Sequence, residues 1–233
     1  MAADPWFSSW NYHLFQILFS VLPHGPVTDE IWRELLLTPL LSTWVFAACF
    51  YWYWTKEDAQ KARRRRYLLN AVAAFAVAGL ITIILRPWAH WPAPALTPNF
   101  QPLFPRDYWG NGSPNCFPSH STLAYFTIGV GFWPLNRRLS VGLSVMALLF
   151  VSLPRVYVGG HYPIDVLFSC VLGTATLIAM WRWPVLAGVA DWTTVRKLPK
   201  RFRALIFFLW VFELGETFHS LEELVSLIHR SLK

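Results

Sequence analysis

The sequence predicts an all-α fold, a polytopic membrane bundle of about six transmembrane helices with an N-terminal helix in the membrane interface. Three observations favour it. The 233-residue chain is 55% hydrophobic and only 14% charged, whereas soluble domains carry about 25% charged residues. Its apolar residues form blocks that approach the roughly 20 residues needed to cross a bilayer core as a helix. Charged residues collect between these blocks rather than within them.

Six apolar blocks follow one another along the chain. They are Leu35–Trp54, Tyr67–Leu85, Ser121–Leu135, Leu139–Leu153, Tyr162–Met180 and Ala204–Phe218. The third and fourth are short and can each gain a turn from their flanks, whereas Glu213 and Glu216 interrupt the sixth. We expect one domain over residues 1–233, with a core at 10–183 and a C-terminal extension at 184–233 that carries the sixth span.

The segment Trp6–Pro23 precedes the first block and is aromatic and apolar. It contains Asn11, His13 and Gln16, and a Pro- and Gly-containing stretch separates it from the first span. These polar residues favour a helix in the membrane interface. A spanning helix is the alternative.

The basic residues are distributed unevenly between the two ends of the predicted spans. Fourteen of the twenty Lys and Arg residues fall on one face, in residues 55–66, in the pair Arg137–Arg138 and in residues 182–203. The positive-inside rule places that face in the cytoplasm and the opposite face outside. Short basic links between spans require no nucleic-acid partner, and we expect none.

The opposite face carries several polar residues near the ends of spans: Arg86, Ser119, His120, Arg155, His161 and Asp165. Ionisable groups at membrane depth are costly and usually face a protein interior or a wet cavity. We therefore expect these groups to converge on one site.

The spacing within this set indicates phosphoryl transfer through a histidine. Asp165 follows His161 by four residues, so at a helix start its carboxylate can orient the imidazole and make it a better nucleophile. The stretch "FPSH" places Ser119 and His120 at a helix N-terminus, where unpaired backbone N–H groups suit a phosphate. Arg86 and Arg155 add positive charge.

Three motifs in this order resemble those of the type 2 phosphatidic acid phosphatases, the membrane branch of the superfamily that includes vanadium haloperoxidases. The third motif matches as Arg155, His161 and Asp165, with Pro154 replacing a serine. The first retains Arg86-Pro87 but has Gly79 where the family has lysine, and the second, Pro118-Ser119-His120, is one residue short. The resemblance covers roughly residues 10–183.

The resemblance implies a role for each of these residues. His161 would be the nucleophile, His120 the general acid and later the base, and Asp165 the group that orients His161. Arg86, Arg155, the backbone at Ser119 and the backbone at Gly160 would bind the phosphate, although Gly159-Gly160 also fits a simple turn. Arg106 or His90 would replace the missing lysine.

The resemblance also implies the class of reaction. The substrate would be a lipid phosphate or diphosphate in the outer leaflet of a bacterial inner membrane, with no metal and no cofactor. The segment His24–Asp29 is similar to that of the polyprenyl-diphosphate phosphatases within the family. Transfer to another acceptor, and a lipid-binding protein inactivated by the two motif departures, are the alternatives.

Overall fold

The protein is a bundle of α-helices, and no β-strand occurs in the ranges that the structure describes. The computed structural model describes residues 5–37, 40–89, 91–100, 103–104 and 115–183. Its helices are α1 (Pro5–Val21), α2 (Pro26–Leu37), α3 (Leu40–Thr55), α4 (Lys61–Ala89), α5 (His120–Gly131), α6 (Arg137–Met146), α7 (Leu153–Tyr157) and α8 (Pro163–Arg182). The predicted all-α fold is therefore confirmed.

Three stretches are long and apolar enough to cross a membrane, and they correspond to the second, fourth and fifth predicted spans. They are Lys61–Arg86, Arg137–Tyr157 and Pro163–Arg182. The first and third predicted spans form α3 and α5, which have only 16 and 12 residues. The sixth lies outside the described residues.

The predicted first span began too early. Residues 35–37 belong to α2, and α3 starts only at Leu40. The sequence has Pro39 between these helices, and proline cannot donate a hydrogen bond inside a continuous helix. The amphipathic helix α2 was not predicted.

The short helix α5 lies at the centre of the bundle. Ten of its twelve residues are buried, and it packs against α4, α6 and α8. A Cβ added at Gly131 would lie 2.3 Å from the Cβ of Ala71, and one added at Gly173 would lie 1.9 Å from Oγ1 of Thr127. Small residues therefore allow α4 and α8 to approach α5 closely.

A π-helical turn, Ala147–Ser152, joins α6 to α7. Pro154 follows it, and a proline ring clashes with the carbonyl four residues earlier in a regular α-helix. The Ser152 hydroxyl donates to the carbonyl of Ala147, five residues back, at 3.1 Å. The wider turn changes the direction of the side chains that follow, including Arg155.

Helices α1 and α2 pack across the end of the bundle that carries the histidines. Phe15 is fully buried, and its ring centroid lies 5.1 Å from that of Phe100 and 5.7 Å from that of Tyr162. The Tyr157 hydroxyl donates to the carbonyl of Pro23 at 3.0 Å. The predicted N-terminal helix is present as α1, and its location in the membrane interface stays a prediction.

Candidate active site

The polar residues predicted from the sequence come from three parts of the bundle. Arg86 lies in the last turn of α4, His120 begins α5, and His161 precedes α8. Helix α5 packs against both α4 and α8, and Arg86 and His161 lie near enough to His120 to act on it electrostatically. The fold therefore brings these three residues into one neighbourhood, although they are far apart in sequence.

His161 and Asp165 are neighbours across the first turn of α8. Nδ1 of His161 lies 3.7 Å from Oδ2 of Asp165, which is longer than a hydrogen bond. The carboxylate is fully buried, and its Oδ2 accepts a 2.8 Å hydrogen bond from the backbone N–H of Tyr162. Nδ1 of His161 and Oδ1 of Asp165 are both buried and have no hydrogen-bond partner among the described residues. A small rotation of the ring would let Nδ1–H donate to Asp165 and leave Nε2 unprotonated.

A tight turn positions His161 relative to Arg155. The backbone N–H groups of Gly160 and His161 both donate to the carbonyl of Arg155, at 2.8 and 3.2 Å. Gly159 has φ of +75°, and a Cβ there would lie 2.7 Å from the ring of Phe104. Glycine is therefore required at 159 by conformation and by space. The N–H of Gly160 is occupied within this turn, so a phosphate contact from it would require the turn to open.

The Arg155 side chain is half-buried on α7 and folds back along its own helix. Its Nη1 donates to the carbonyl of Val151 at 2.7 Å. A guanidinium has five N–H donors, and no second hydrogen bond from Arg155 is found within the described part of the chain. The remaining donors are available for an anion.

Arg86 is held by Asn115, which the sequence analysis did not single out. Nη2 of Arg86 donates to the carbonyl of Asn115 at 2.9 Å, and Nδ2 of Asn115 donates to the carbonyl of Arg86 at 2.5 Å. The amide oxygen of Asn115 also accepts from the backbone N–H of Phe117 at 3.2 Å. Asparagine commonly organises such local turns, and it is the first residue of the stretch "NCFPSH".

Ser119 is the N-cap of α5, but its hydroxyl does not cap the helix. It is fully buried, and its Oγ lies 3.0 Å from Oγ1 of Thr122, which in turn lies 2.8 Å from Oγ of Ser152. This chain of hydroxyls links the start of α5 to the π turn. The first N–H groups of a helix have no intrahelical partner, so those of α5 remain suited to a phosphate.

His120 is bound to Thr82, another residue that sequence reasoning missed. Nε2 of His120 lies 2.9 Å from Oγ1 of Thr82, whose hydroxyl also contacts the carbonyl of Gly79 at 2.7 Å. The single hydroxyl hydrogen of Thr82 can be donated only once. When Thr82 donates this hydrogen to the carbonyl of Gly79, Nε2 of His120 must carry a proton and donate it to Thr82. Gly79 stands at the position where the family has lysine.

Cys116 is buried beside this group of residues. Burial, together with the neighbouring carboxylate of Asp165, raises the pKa of the Cys116 thiol. The thiol therefore stays neutral and leaves the charge of Asp165 available to His161.

The two residues predicted to replace the lysine, Arg106 and His90, lie outside the described residues. Among the described residues, no group of three or more His, Cys, Asp or Glu side chains is arranged to hold a metal ion.

Comparison with known proteins identifies the family. The undecaprenyl-diphosphatase BcrC of Bacillus subtilis (strain 168) is 24% identical over 163 residues, which cover 70% of this chain and 78% of the relative. The bacitracin transport permease protein BcrC of Bacillus licheniformis is 28% identical over 140 residues, covering 59% of this chain and 64% of the relative. No solved structure matches. Residues 67–188, more than half of the chain, match the PAP2 superfamily, so the protein belongs to that family of membrane phosphatases.

Proposed function

We propose that this protein is an integral-membrane lipid phosphatase that removes the terminal phosphate of a lipid diphosphate through a phosphohistidine at His161. Undecaprenyl diphosphate is the first candidate substrate, because one relative is named for that activity. The PAP2 match supports the lipid phosphatase class.

The arrangement around His161 carries the proposal. Its Nδ1 faces the buried carboxylate of Asp165, and the turn that precedes it is anchored to the backbone of Arg155. A histidine whose Nδ1–H is held by a carboxylate presents the lone pair of Nε2 as a nucleophile.

The reaction would proceed in two balanced steps. Nε2 of His161 attacks the terminal phosphorus, a P–N bond forms, and the bond from that phosphorus to the bridging oxygen breaks, so that the lipid monophosphate leaves. His120 supplies the proton that this leaving oxygen takes up. Water then attacks the phosphohistidine and gives its proton to His120, the P–N bond breaks, and inorganic phosphate is released.

Three sets of groups would stabilise the negative charge on the transferred phosphoryl group. Arg86, Arg155 and the backbone N–H groups at the start of α5 surround the equatorial oxygens, and such preorganised donors are usually the largest contribution to phosphoryl transfer. When Thr82 donates its hydroxyl hydrogen to Gly79, His120 must donate Nε2–H to Thr82, and it can then protonate the leaving oxygen only as a doubly protonated ring or after the ring turns away from Thr82.

Phosphate release by the purified protein tests the proposal. Undecaprenyl diphosphate, undecaprenyl phosphate, phosphatidic acid and phosphatidylglycerol phosphate would be compared with and without a chelator. We expect release from undecaprenyl diphosphate to be fastest and unchanged by the chelator. Tight lipid binding without phosphate release would instead identify a lipid-binding protein, and loss of activity with the chelator would contradict metal-independent chemistry.

We also propose that the site faces outside the inner membrane, as the distribution of basic residues predicts. Gln60 lies between α3 and α4 at one end of the bundle, and the exposed Asn99 lies in the loop at the histidine end. In a background without native cysteines, Asn99→Cys should react with an impermeant maleimide in intact cells. Gln60→Cys should react only after permeabilisation, and the reverse pattern would place the site in the cytoplasm.

A further inference from the structure

A cavity lies at the opposite end of the bundle from the histidines. It has a volume of about 530 Å³ and is lined by Ala62, Arg63, Arg66, Tyr67, Asn70 and Trp181. Arg63 and Arg86 are 23 residues apart on the same helix, α4, so the cavity is about 35 Å from the candidate active site. The two sites are therefore on opposite faces of the membrane.

The four consecutive arginines at the start of α4 are used in two different ways. Arg64 is almost fully buried, and it pairs with Asp58 at 2.8 Å and donates to backbone carbonyls. Arg65 donates to the carbonyl of Trp54 at 3.1 Å. Arg63 and Arg66 are exposed, and neither forms an ion pair with any residue that the structure describes. Arg64 and Arg65 therefore form contacts within the protein, whereas Arg63 and Arg66 face the cavity.

Helical periodicity explains why these side chains share one cavity. Arg63, Arg66, Tyr67 and Asn70 follow the three- and four-residue spacing that places side chains on one face of a helix. Arg63 lies over the ring of Tyr67, with 5.7 Å between its Cζ and the ring centroid. Trp181, near the end of α8, closes the other side and meets Tyr67 edge to face at 6.3 Å.

Two buried polar atoms in the cavity wall have no hydrogen-bond partner among the residues that the structure describes. Asn70 is only 3% exposed, and its Oδ1 makes no hydrogen bond. The indole Nε1 of Trp181 is also buried without a partner. Buried polar groups in proteins are nearly always hydrogen-bonded, so an unpaired acceptor and an unpaired donor on residues that line one cavity point to a ligand that supplies both partners.

We propose that this cavity binds the headgroup of an acidic phospholipid that carries a hydroxyl group, as phosphatidylglycerol does. Arg63 and Arg66 would bind the phosphate, the indole N–H of Trp181 would donate to a phosphate or glycerol oxygen, and a headgroup hydroxyl would donate to Asn70. The aromatic rings of Tyr67 and Trp181 lie where aromatic residues favour the membrane interface. A basic pocket between helix ends suits an anionic headgroup whose acyl chains remain in the bilayer.

Native mass spectrometry of the full-length protein in detergent would test the proposal. Phosphatidylglycerol would be titrated into wild-type protein and into the double variant Arg63→Gln/Arg66→Gln. The matched control is Arg137→Gln/Arg138→Gln, which removes two exposed arginines from the start of α6. Arg137 and Arg138 lie at the same end of the bundle as the cavity. The adjacent Asn136 donates to the hydroxyl of Tyr53 at 3.2 Å, and Tyr53 lies near the end of α3 that leads into α4.

We expect the Arg63/Arg66 variant to lose at least tenfold in affinity for the first bound phosphatidylglycerol, and the control less than twofold. Trp181→Phe removes the indole N–H while keeping an aromatic ring at this position, and it should weaken binding by about threefold. Equal losses in the two double variants would show a general charge effect and overturn the proposal. Equal binding of phosphatidylcholine, or displacement of the lipid by equimolar inorganic phosphate, would also overturn it. The measurement does not depend on phosphatase activity.

Discussion

The two segments that carry the histidines differ in how far their polar groups are already engaged. Within the described part of the chain, Nδ1 of His161 in Arg155–Asp165 has no hydrogen-bond partner, and the Arg155 side chain makes a single hydrogen bond, to Val151 in the π turn. In Asn115–Thr122, His120 is bound to Thr82 and Ser119 is bound to Thr122. The segment that matches the family motif closely presents unpaired groups, whereas the segment with the shortened motif has its side chains tied to internal partners.

This difference bears on the two roles proposed for the histidines, nucleophile and general acid. A nucleophile needs a lone pair that no protein donor occupies, and we propose that Nε2 of His161 supplies it. An acid needs a proton aimed at the leaving oxygen, whereas Nε2 of His120 faces the hydroxyl of Thr82 in this structure. We therefore expect the contribution of His161 to be larger and less dependent on substrate than that of His120.

Removing the nucleophile should give the largest effect. His161→Ala should lower phosphate release by roughly 10³-fold or more, because no bond to phosphorus can form in the first step. His13→Ala, which removes an exposed histidine from α1, is the matched control and should retain full activity. Thermal unfolding of both variants checks that the fold is intact. Retention of more than a few per cent of wild-type activity by a folded His161→Ala would refute the assignment.

Removing the proposed acid should have an effect that depends on the leaving group. His120→Ala should slow the first step on a lipid monophosphate by about 10²–10⁴-fold, the usual contribution of general acid catalysis. A nitrophenolate leaves without a proton, so phosphohistidine formation from nitrophenyl phosphate should fall much less. Single-turnover measurements are required, since His120 also serves the second step. Equal losses on both substrates would leave His120 with a phosphate-binding or structural role.

The same contrast explains which site residues could be predicted from the sequence. His161 and Asp165 are separated by one helical turn, so their spacing alone indicates that they meet. Thr82 is 38 residues from His120, and Asn115 is 29 residues from Arg86. No local rule connects such pairs, because only the packing of α4 against α5 brings them together. The third predicted span, Ser121–Leu135, extended beyond the end of α5. Because α5 is enclosed by other helices, its length need not match the thickness of the bilayer.

Close packing between α5 and α8 sets the distance between the two histidine segments, and it can be tested by overpacking. Gly173→Ala would place a Cβ 1.9 Å from Oγ1 of Thr127 and should lower the free energy of unfolding by about 1–3 kcal/mol. Gly142→Ala is the matched control, because nothing lies within 4 Å of a Cβ there. That substitution should stabilise its helix by up to about 1 kcal/mol.

Thermal or denaturant unfolding in one detergent would measure both changes. Opposite signs for the two alanines are expected. A Gly173→Ala variant as stable as Gly142→Ala would show that α5 and α8 can separate without cost, and that their contact does not fix the geometry of the site.

The smallest effect should come from Thr82, and it would show whether this hydroxyl positions His120. Thr82→Val removes the partner of Nε2 while preserving the shape of the side chain. The loss of one hydrogen bond, roughly 1 kcal/mol, should slow turnover of a lipid monophosphate by about fivefold and leave nitrophenyl phosphate nearly unchanged. Thr176→Val is the matched control, because that hydroxyl donates only to Leu172 of its own helix, at 2.8 Å. A faster Thr82→Val enzyme would instead show that Thr82 holds the ring away from the substrate. Equal slowing on both substrates would mean that the hydroxyl supports the packing of α4 against α5 and has no specific influence on the proton of His120.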